Sequence, residues 1–181
     1  MALDALAMET PALDQPVLDY VIALEQPSQA DAVLALTDRA FGPGRFVKTA
    51  ERLRENSTPL ADLSYVALDG ARVIASVRLW PVFVQAADET RAPIAFLGPI
   101  VVDEACRGHR IGSRLTEAAV TAAFAKGLRA VLLVGSRAFF EPLGFARAEG
   151  LIMPGPVDPN RLLIRYATDG DALSGQVVRV L

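Results

Sequence analysis

Apolar and polar positions follow two rhythms along this chain, and the switches between them outline its elements. Tyr20-Val-Ile-Ala-Leu24 reads as a first strand. Behind Ser28, a residue suited to capping, Ala32, Val33, Leu36 and Ala40 recur at helical spacing and predict a first helix, stopped by Phe41-Gly-Pro-Gly44. A short second helix is expected from Lys48 to Glu55, ahead of Pro59. Strands then follow at Ser64 to Leu68 and Arg72 to Trp80, joined by the tight-turn dipeptide Asp69-Gly70, and at Ala92 to Val102. Gly98-Pro99 interrupts the last of these. Proline cannot donate to a ladder, so a bulge or local splay is expected there.

The strongest helical pattern runs from Ile111 to Lys126, with Ile111, Leu115, Ala118, Ala119 and Ala122 on one face and Gly127 behind it. Ala130 to Val134 is wholly apolar, as a strand buried on both faces would be. A brief helix is expected at Arg137 to Glu141, stopped by Pro142, and further strands at Phe145 to Ala148, Leu162 to Ala167 and Gln176 to Val180. This order predicts a three-layer α/β domain around a mixed sheet. Residues 1–16 hold Pro11 and Pro16 without a clean period and read as a loose tail, ahead of one domain over 17–181.

Composition narrows the function classes. At 181 residues and 52% apolar, the chain suits a single well-filled core. A formal charge of −3 with scattered cations leaves no electrostatic footprint for a nucleic acid. Cys106 is the single cysteine and His109 the single histidine, which excludes an internal disulfide and argues against a zinc site of the Cys/His type. The acidic start lacks the marks of a secretory signal, and no run of roughly 18 apolar residues could span a membrane. A soluble cytoplasmic protein that contacts neither membrane nor nucleic acid is therefore expected.

The segment with chemical content is Ile100-Val-Val-Asp-Glu-Ala-Cys-Arg-Gly-His-Arg-Ile-Gly-Ser-Arg-Leu115. An apolar strand enters a turn with glycines at 108 and 112, and a long helix opens at once. The first amides of a helix have no intrahelical partner and carry partial positive charge, so a phosphate suits such a turn. Two glycines before a helix are also a common packing device, so the turn alone leaves both readings open.

Arg107-Gly-His-Arg-Ile-Gly112 resembles motif A of the GNAT superfamily, the acyl-CoA-dependent N-acetyltransferases: Gln or Arg, two variable residues, Gly, one variable residue, then Gly or Ala. Downstream, Phe139-Phe-Glu-Pro-Leu-Gly-Phe145 resembles motif B, and the likeness covers roughly residues 19–167. The resemblance implies a central mixed sheet of about six to seven strands with splayed central strands, acetyl-CoA as co-substrate and no metal. It implies that pantetheine pairs with the main chain of Ile100, Val101 and Val102. The Val101 N–H would polarise the thioester carbonyl as an oxyanion donor. Arg107, Gly108, His109, Arg110, Ile111, Gly112 and Ser113 would hold the pyrophosphate, with Phe140 beside the thioester.

Two departures stand out. Arg110 occupies the position of the motif's first glycine, and Phe140 that of a tyrosine which in many members protonates the leaving thiolate. Among candidate acids and bases, Asp103 and Glu104 follow the central strand, where turn solvation is the stronger reading. Glu141 lies beside the expected thiol and is the side chain assigned a catalytic position, although it reads also as simply exposed on the short helix. By analogy the acceptor would meet the Phe41-Gly-Pro-Gly-Arg-Phe46 loop, Arg78, Trp80 and Phe83, although core packing is the stronger reading for the last two. Three readings follow: an N-acetyltransferase acting on a primary amine by direct attack in a ternary complex, a non-catalytic acyl-CoA-binding module with a degenerate site, and a different α/β domain whose turn binds another phosphate. The apolar end, Gln176 to Leu181, suits either a homodimer interface or, more economically, a last sheet strand.

Overall fold

The computed structural model describes residues 18–44, 49–170 and 172–180. The tail expected over residues 1–16, and Arg45, Phe46 and Lys48, lie outside them. The elements are β1 (Val21–Leu24), α1 (Ala30–Phe41), α2 (Thr49–Arg54), β2 (Tyr65–Asp69), β3 (Arg72–Gln85), β4 (Arg91–Val102), α3 (Ile111–Ala125), β5 (Ala130–Val134), α4 (Arg137–Phe140), β6 (Ala146–Arg147), β7 (Leu151–Ile152), β8 (Leu162–Tyr166) and β9 (Gly175–Arg179). The order agrees with the periodicity. Ser28 does not cap α1: it lies in a 3-10 turn over Pro27–Gln29, where the Gln26 amide donates to Gln29 Oε1 at 2.8 Å.

Among the described residues nine strands form one sheet, ordered β1-β2-β3-β4-β5-β8-β6, with β9 on the far half of β3 and β7 beside β9. Pairing is antiparallel except for β4 with β5 and β7 with β9, so the sheet is mixed. Of these strands only β7 has no counterpart among the expected segments; β3 runs past Trp80 through Pro81 to Gln85 and there receives β9, the strand expected at Gln176 to Val180.

Side-chain alternation divides the core between the two faces of the sheet. Ala75, Val77, Leu79, Ala95, Leu97, Val131, Leu133 and Leu163 face α3, while Trp80, Val82, Val84, Ile94, Phe96, Leu132 and Ile164 share the other face with Leu53 of α2. Residues two apart thus share a core, as strand geometry requires. Each large aliphatic buried this way is worth roughly 1.5–3 kcal/mol, which is what holds the helices to the sheet. On α3 the buried set is Ile111, Gly112, Leu115, Thr116, Ala119, Val120 and Ala123. The stripe is turned from the expected one, with Ala118 and Ala122 half-exposed. Thr116 can be buried because its hydroxyl donates to the Gly112 carbonyl at 2.8 Å.

The feature that positions the site lies midway along β4. Val77 pairs with Ile100 and Leu79 with Leu97, so Arg78 alone opposes Gly98 and Pro99 in a bulge. Pairing of β4 with β5 ends at Leu97–Leu133. The next groups on β4 cannot continue it: the Gly98 carbonyl accepts from Trp80 Nε1 at 2.5 Å, and Pro99 has no amide hydrogen. Beyond that point the two strands part.

Candidate active site: a cleft at the splayed strands

Two cavities open along this gap. The first, about 550 Å³, runs along the end of β4 to the start of α3, between Ile100–Val102, Arg107, Gly108, Arg110–Ser113 and Phe139–Phe140. The second, about 520 Å³, lies between Leu97–Ile100, Leu133–Ser136, α2 and residues 156–161. Both are lined by Phe41, Ile100, Ser136 and Phe140, so these four residues mark where the cavities meet.

The α3 end of the first cavity is an anion cradle by construction. The cap residue Arg110 makes no side-chain capping bond. The Arg114 amide is taken by the Arg110 carbonyl at 3.1 Å, which leaves the N–H groups of Ile111, Gly112 and Ser113 as the orphan donors of a 15-residue helix. Gly112 keeps the turn uncrowded: a Cβ there would sit 3.3 Å from the Phe139 ring, a few tenths of an ångström too close, and in ordinary contact with Val102 at 3.6 Å. Arg110 holds φ 58, the left-handed region that a glycine adopts freely, so the turn keeps the motif's backbone at some cost to a residue with a Cβ.

One expectation is reversed by the ladder. The Asp103 amide donates to the Ile74 carbonyl at 2.8 Å. Antiparallel neighbours alternate between pairs that exchange both bonds and pairs that exchange none, so the Val101–Ser76 pair, two residues along the same register, is again bonded. The Val101 N–H therefore faces β3 and is not available as an oxyanion donor, although Val101 lines the cavity. The amides of Ile100 and Val102 face the opposite way, into the gap left by β5.

Of the residues expected to touch the coenzyme, Ile100, Val101, Val102, Arg107, Gly108, Arg110, Ile111, Gly112, Ser113 and Phe140 all line the first cavity. His109 does not: it is half-buried, and its carbonyl accepts from the Tyr20 hydroxyl at 3.4 Å. Glu141 lines neither cavity and pairs at 2.9 Å with Arg137, one turn earlier on the exposed face. Asp103 is also structural. It accepts from Arg72 at 2.6 Å and from the Ala105 amide at 3.1 Å, which holds its carboxyl below the usual carboxylate range. Glu104 is exposed and 4.0 Å from Arg107. Burial pushes the Cys106 thiol up, away from thiolate chemistry.

The residues expected to meet the acceptor depart further from the cleft than those expected to touch the coenzyme. Arg78 is bidentate to Glu25, Trp80 is buried on the Gly98 carbonyl, and Phe83 lies under Arg91. None of them lines either of these two cavities. Only Phe41 of the anticipated acceptor residues does so, with Arg45 and Phe46 outside the described residues. The second cavity is walled by Thr49, Glu51 and Arg54 of α2 and by Pro156, Val157, Asp158 and Arg161. Sequence reading also passed over Ser136, which has no motif of its own. Among the described residues no group of three or more His, Cys, Asp or Glu could hold a metal, and no helix is long and apolar enough to cross a membrane.

Comparison with known proteins agrees with this geometry. The sequence profile described as the acetyltransferase (GNAT) family matches residues 30–145. This chain belongs to that family of acetyltransferases. Among solved structures it resembles the GNAT family N-acetyltransferase YhbS of Escherichia coli in complex with CoA, at 26% identity over 92% of both chains with a TM-score of 0.77. A GNAT family acetyltransferase of Brucella melitensis in complex with acetyl-CoA shares the fold at 22% identity, over 83% of this chain and 97% of that one, with a TM-score of 0.58. A putative N-acetyltransferase of Lactobacillus plantarum does so at 20% identity, over 83% and 98%, with a TM-score of 0.56. No curated protein matches the sequence.

Proposed function

We propose that this protein passes the acetyl group of acetyl-CoA to a primary amine by direct attack in a ternary complex. The observation that carries the reading is the meeting of two cavities at the splay, one ending on unpartnered helix amides and the other approaching from α2. Such a pair of entrances suits two substrates that must touch at one point. The similar N-acetyltransferase in complex with CoA supports a coenzyme of this class as one of the two substrates.

On this reading the pyrophosphate takes the amides of Ile111, Gly112 and Ser113, with Arg107 and Arg110 adding positive charge along the wall. Pantetheine pairs with the main-chain groups of Ile100 and Val102 that face the gap, as a missing strand would. Ile100 lines both cavities, so its N–H is the main-chain donor at the junction and takes the role expected of Val101. The amine arrives from the second cavity, where Glu51, 23% exposed and paired with Arg54 at 3.0 Å, and Asp158 are the carboxylates on the wall. Attack forms the N–C bond, the carbonyl oxygen gathers charge on the Ile100 amide, and collapse breaks the C–S bond to release CoA. The amine proton passes to solvent or to a wall carboxylate. Holding amine and thioester in register supplies much of the rate.

Phe140 favours a second reading, an acyl-CoA-binding module without turnover, because it stands at the junction with no proton to give. Calorimetric titration of acetyl-CoA, followed by a screen of primary amines for thiol release, separates the two. Binding with amine-dependent release is expected. Binding without release across the panel selects the module, and a folded protein that binds no acetyl-CoA sinks both.

A further inference from the structure

The four residues shared by the two cavities are Phe41, Ile100, Ser136 and Phe140. Of their side chains, three are hydrocarbon, and only Ser136 carries a proton that can be donated. We propose that the Ser136 hydroxyl is a catalytic residue of this enzyme, donating a hydrogen bond to the departing CoA sulfur and relaying to it a proton from solvent. The proposal rests on the acetyl-transfer reading and assigns it a group that neither motif contains.

Three features of the structure bear on this. Serine at a helix N-cap ordinarily bonds the amide two or three residues on, but the Ser136 side chain makes no such bond to α4. Its backbone, by contrast, is fixed. The Ser136 carbonyl accepts from the amides of Phe139 and Phe140, both at 3.1 Å, and the preceding Gly135 amide is tied to the Arg161 carbonyl at 2.9 Å. The hydroxyl thus rides on a rigid main chain, one helical turn from the Phe140 ring. Finally, Ser136 is exposed whereas Phe140 is 5% exposed, so the hydroxyl can reach solvent where the phenyl ring cannot.

The proton balance follows from the acidities. An aliphatic hydroxyl is a far weaker acid than a thiol and cannot surrender its proton outright to a thiolate. As the C–S bond breaks, Oγ–H hydrogen-bonds to sulfur. Transfer of that proton to sulfur is matched by transfer of a water proton to Oγ, so serine is unchanged and hydroxide is left in solvent. The proton released by the attacking amine neutralises it. No co-reactant beyond water is needed.

The test uses CoA itself as probe, and so needs no knowledge of the acceptor. The thiol of CoA bound to the intact protein is titrated by its thiolate absorbance in the wild type, Ser136→Ala and Ser136→Thr. A donor on sulfur stabilises the thiolate, so the bound thiol should titrate about one unit higher in Ser136→Ala, a tenfold change. Ser136→Thr, which keeps the hydroxyl, should stay near the wild type. An unmoved thiol in Ser136→Ala, or an equal rise in Ser136→Thr, overturns the proposal, since a merely structural role predicts one or the other. CoA failing to bind the wild type would instead remove the acetyl-transfer reading beneath it.

Discussion

Replacing Gly112 by glutamate separates coenzyme binding from folding more sharply than any other change in the cleft. Residue 112 is the second of α3, where acidic side chains are favoured by the helix dipole by about 0.3–1 kcal/mol and where loss of glycine returns about 1 kcal/mol of backbone entropy. Against this stands crowding by Phe139, whose ring would lie 3.3 Å from the new Cβ. That ring is 39% exposed and free to yield by a few tenths of an ångström. Fold stability should therefore change by no more than about 1 kcal/mol, which is a shift in Tm of roughly 2–4 °C for a domain of this size.

Binding should respond very differently. A carboxylate about 6 Å from one pyrophosphate charge is repelled by about 3 kcal/mol at an effective dielectric of about 20, or roughly a hundredfold in affinity. Gly112→Gln has the same bulk without the charge and isolates the steric part, which should be tenfold at most, on the order of 1 kcal/mol. Calorimetric titration of acetyl-CoA into both variants and the wild type measures the difference. That difference should also narrow as salt is raised, because the turn is open to solvent. Equal affinities of the Glu and Gln variants would refute the placement of the pyrophosphate at the α3 amides, whatever their common loss relative to the wild type.

Three further outcomes follow from the geometry. Arg110→Gly releases a left-handed residue and should stabilise the fold by about 1 kcal/mol, seen as a rise in Tm of roughly 2–4 °C; a fall would mean that the Arg110 side chain contributes more than its backbone costs. Gly135→Ala places a Cβ 2.3 Å from the Phe140 ring and 3.1 Å from Leu133, so chemical denaturation should find a loss of about 1–3 kcal/mol, together with weaker acetyl-CoA binding as Phe140 is driven from the junction. Asp103 is held below its unfolded pKa by Arg72 and the Ala105 amide. Its contribution to stability is therefore complete above the unfolded value of about 3.9 and fades as pH falls through the lower folded value. Wild type and Asp103→Asn should accordingly differ in unfolding midpoint at neutral pH and converge in strong acid. Acetyl transfer should be unchanged in this variant, and a large loss would restore Asp103 as a base.

Much of this fold is legible in the sequence because its signals are local. The wholly apolar Ala130–Val134 run could only be a strand covered on both faces, and Gly98-Pro99 announced a break in β4 that the Trp80 bond and the missing proline amide bring about. Elements were lost where the signal was short or the partner distant. β7 has two residues, too few for any period, and exists because Leu151 and Ile152 meet β9. β3 was cut short at Pro81, although a proline is harmless where it only faces Ala95 and lies just ahead of the pairing with β9. The wall of the second cavity was hidden for the same reason. α2 is fastened to a segment about a hundred residues away by Thr49 Oγ1 donating to the Pro156 carbonyl at 2.5 Å and by Arg52 donating to that of Pro154 at 2.8 Å. No periodicity in either segment points to the other.

The coenzyme side shows a subtler limit. A motif fixes which residues lie along the cleft but not which way their amides face, and in a strand that direction inverts with every residue. On the proposed reading the oxyanion donor moves by one position, from Val101 to Ile100, and that one step exchanges an amide spent on β3 for one that faces the gap. The decisive fact sits outside the motif, in the bond from the Asp103 amide to Ile74, which sets the parity of the strand behind it. The bulge at Gly98-Pro99 lies on the other side of Ile100 and ends the pairing with β5 just before it. Ile100 is thus the first residue past the break whose amide is turned toward the gap. On the proposed reading its side chain takes no part in the chemistry, so a hydrophobic exchange at 100 should be tolerated, whereas shifting the bulge by one residue would turn the donor away.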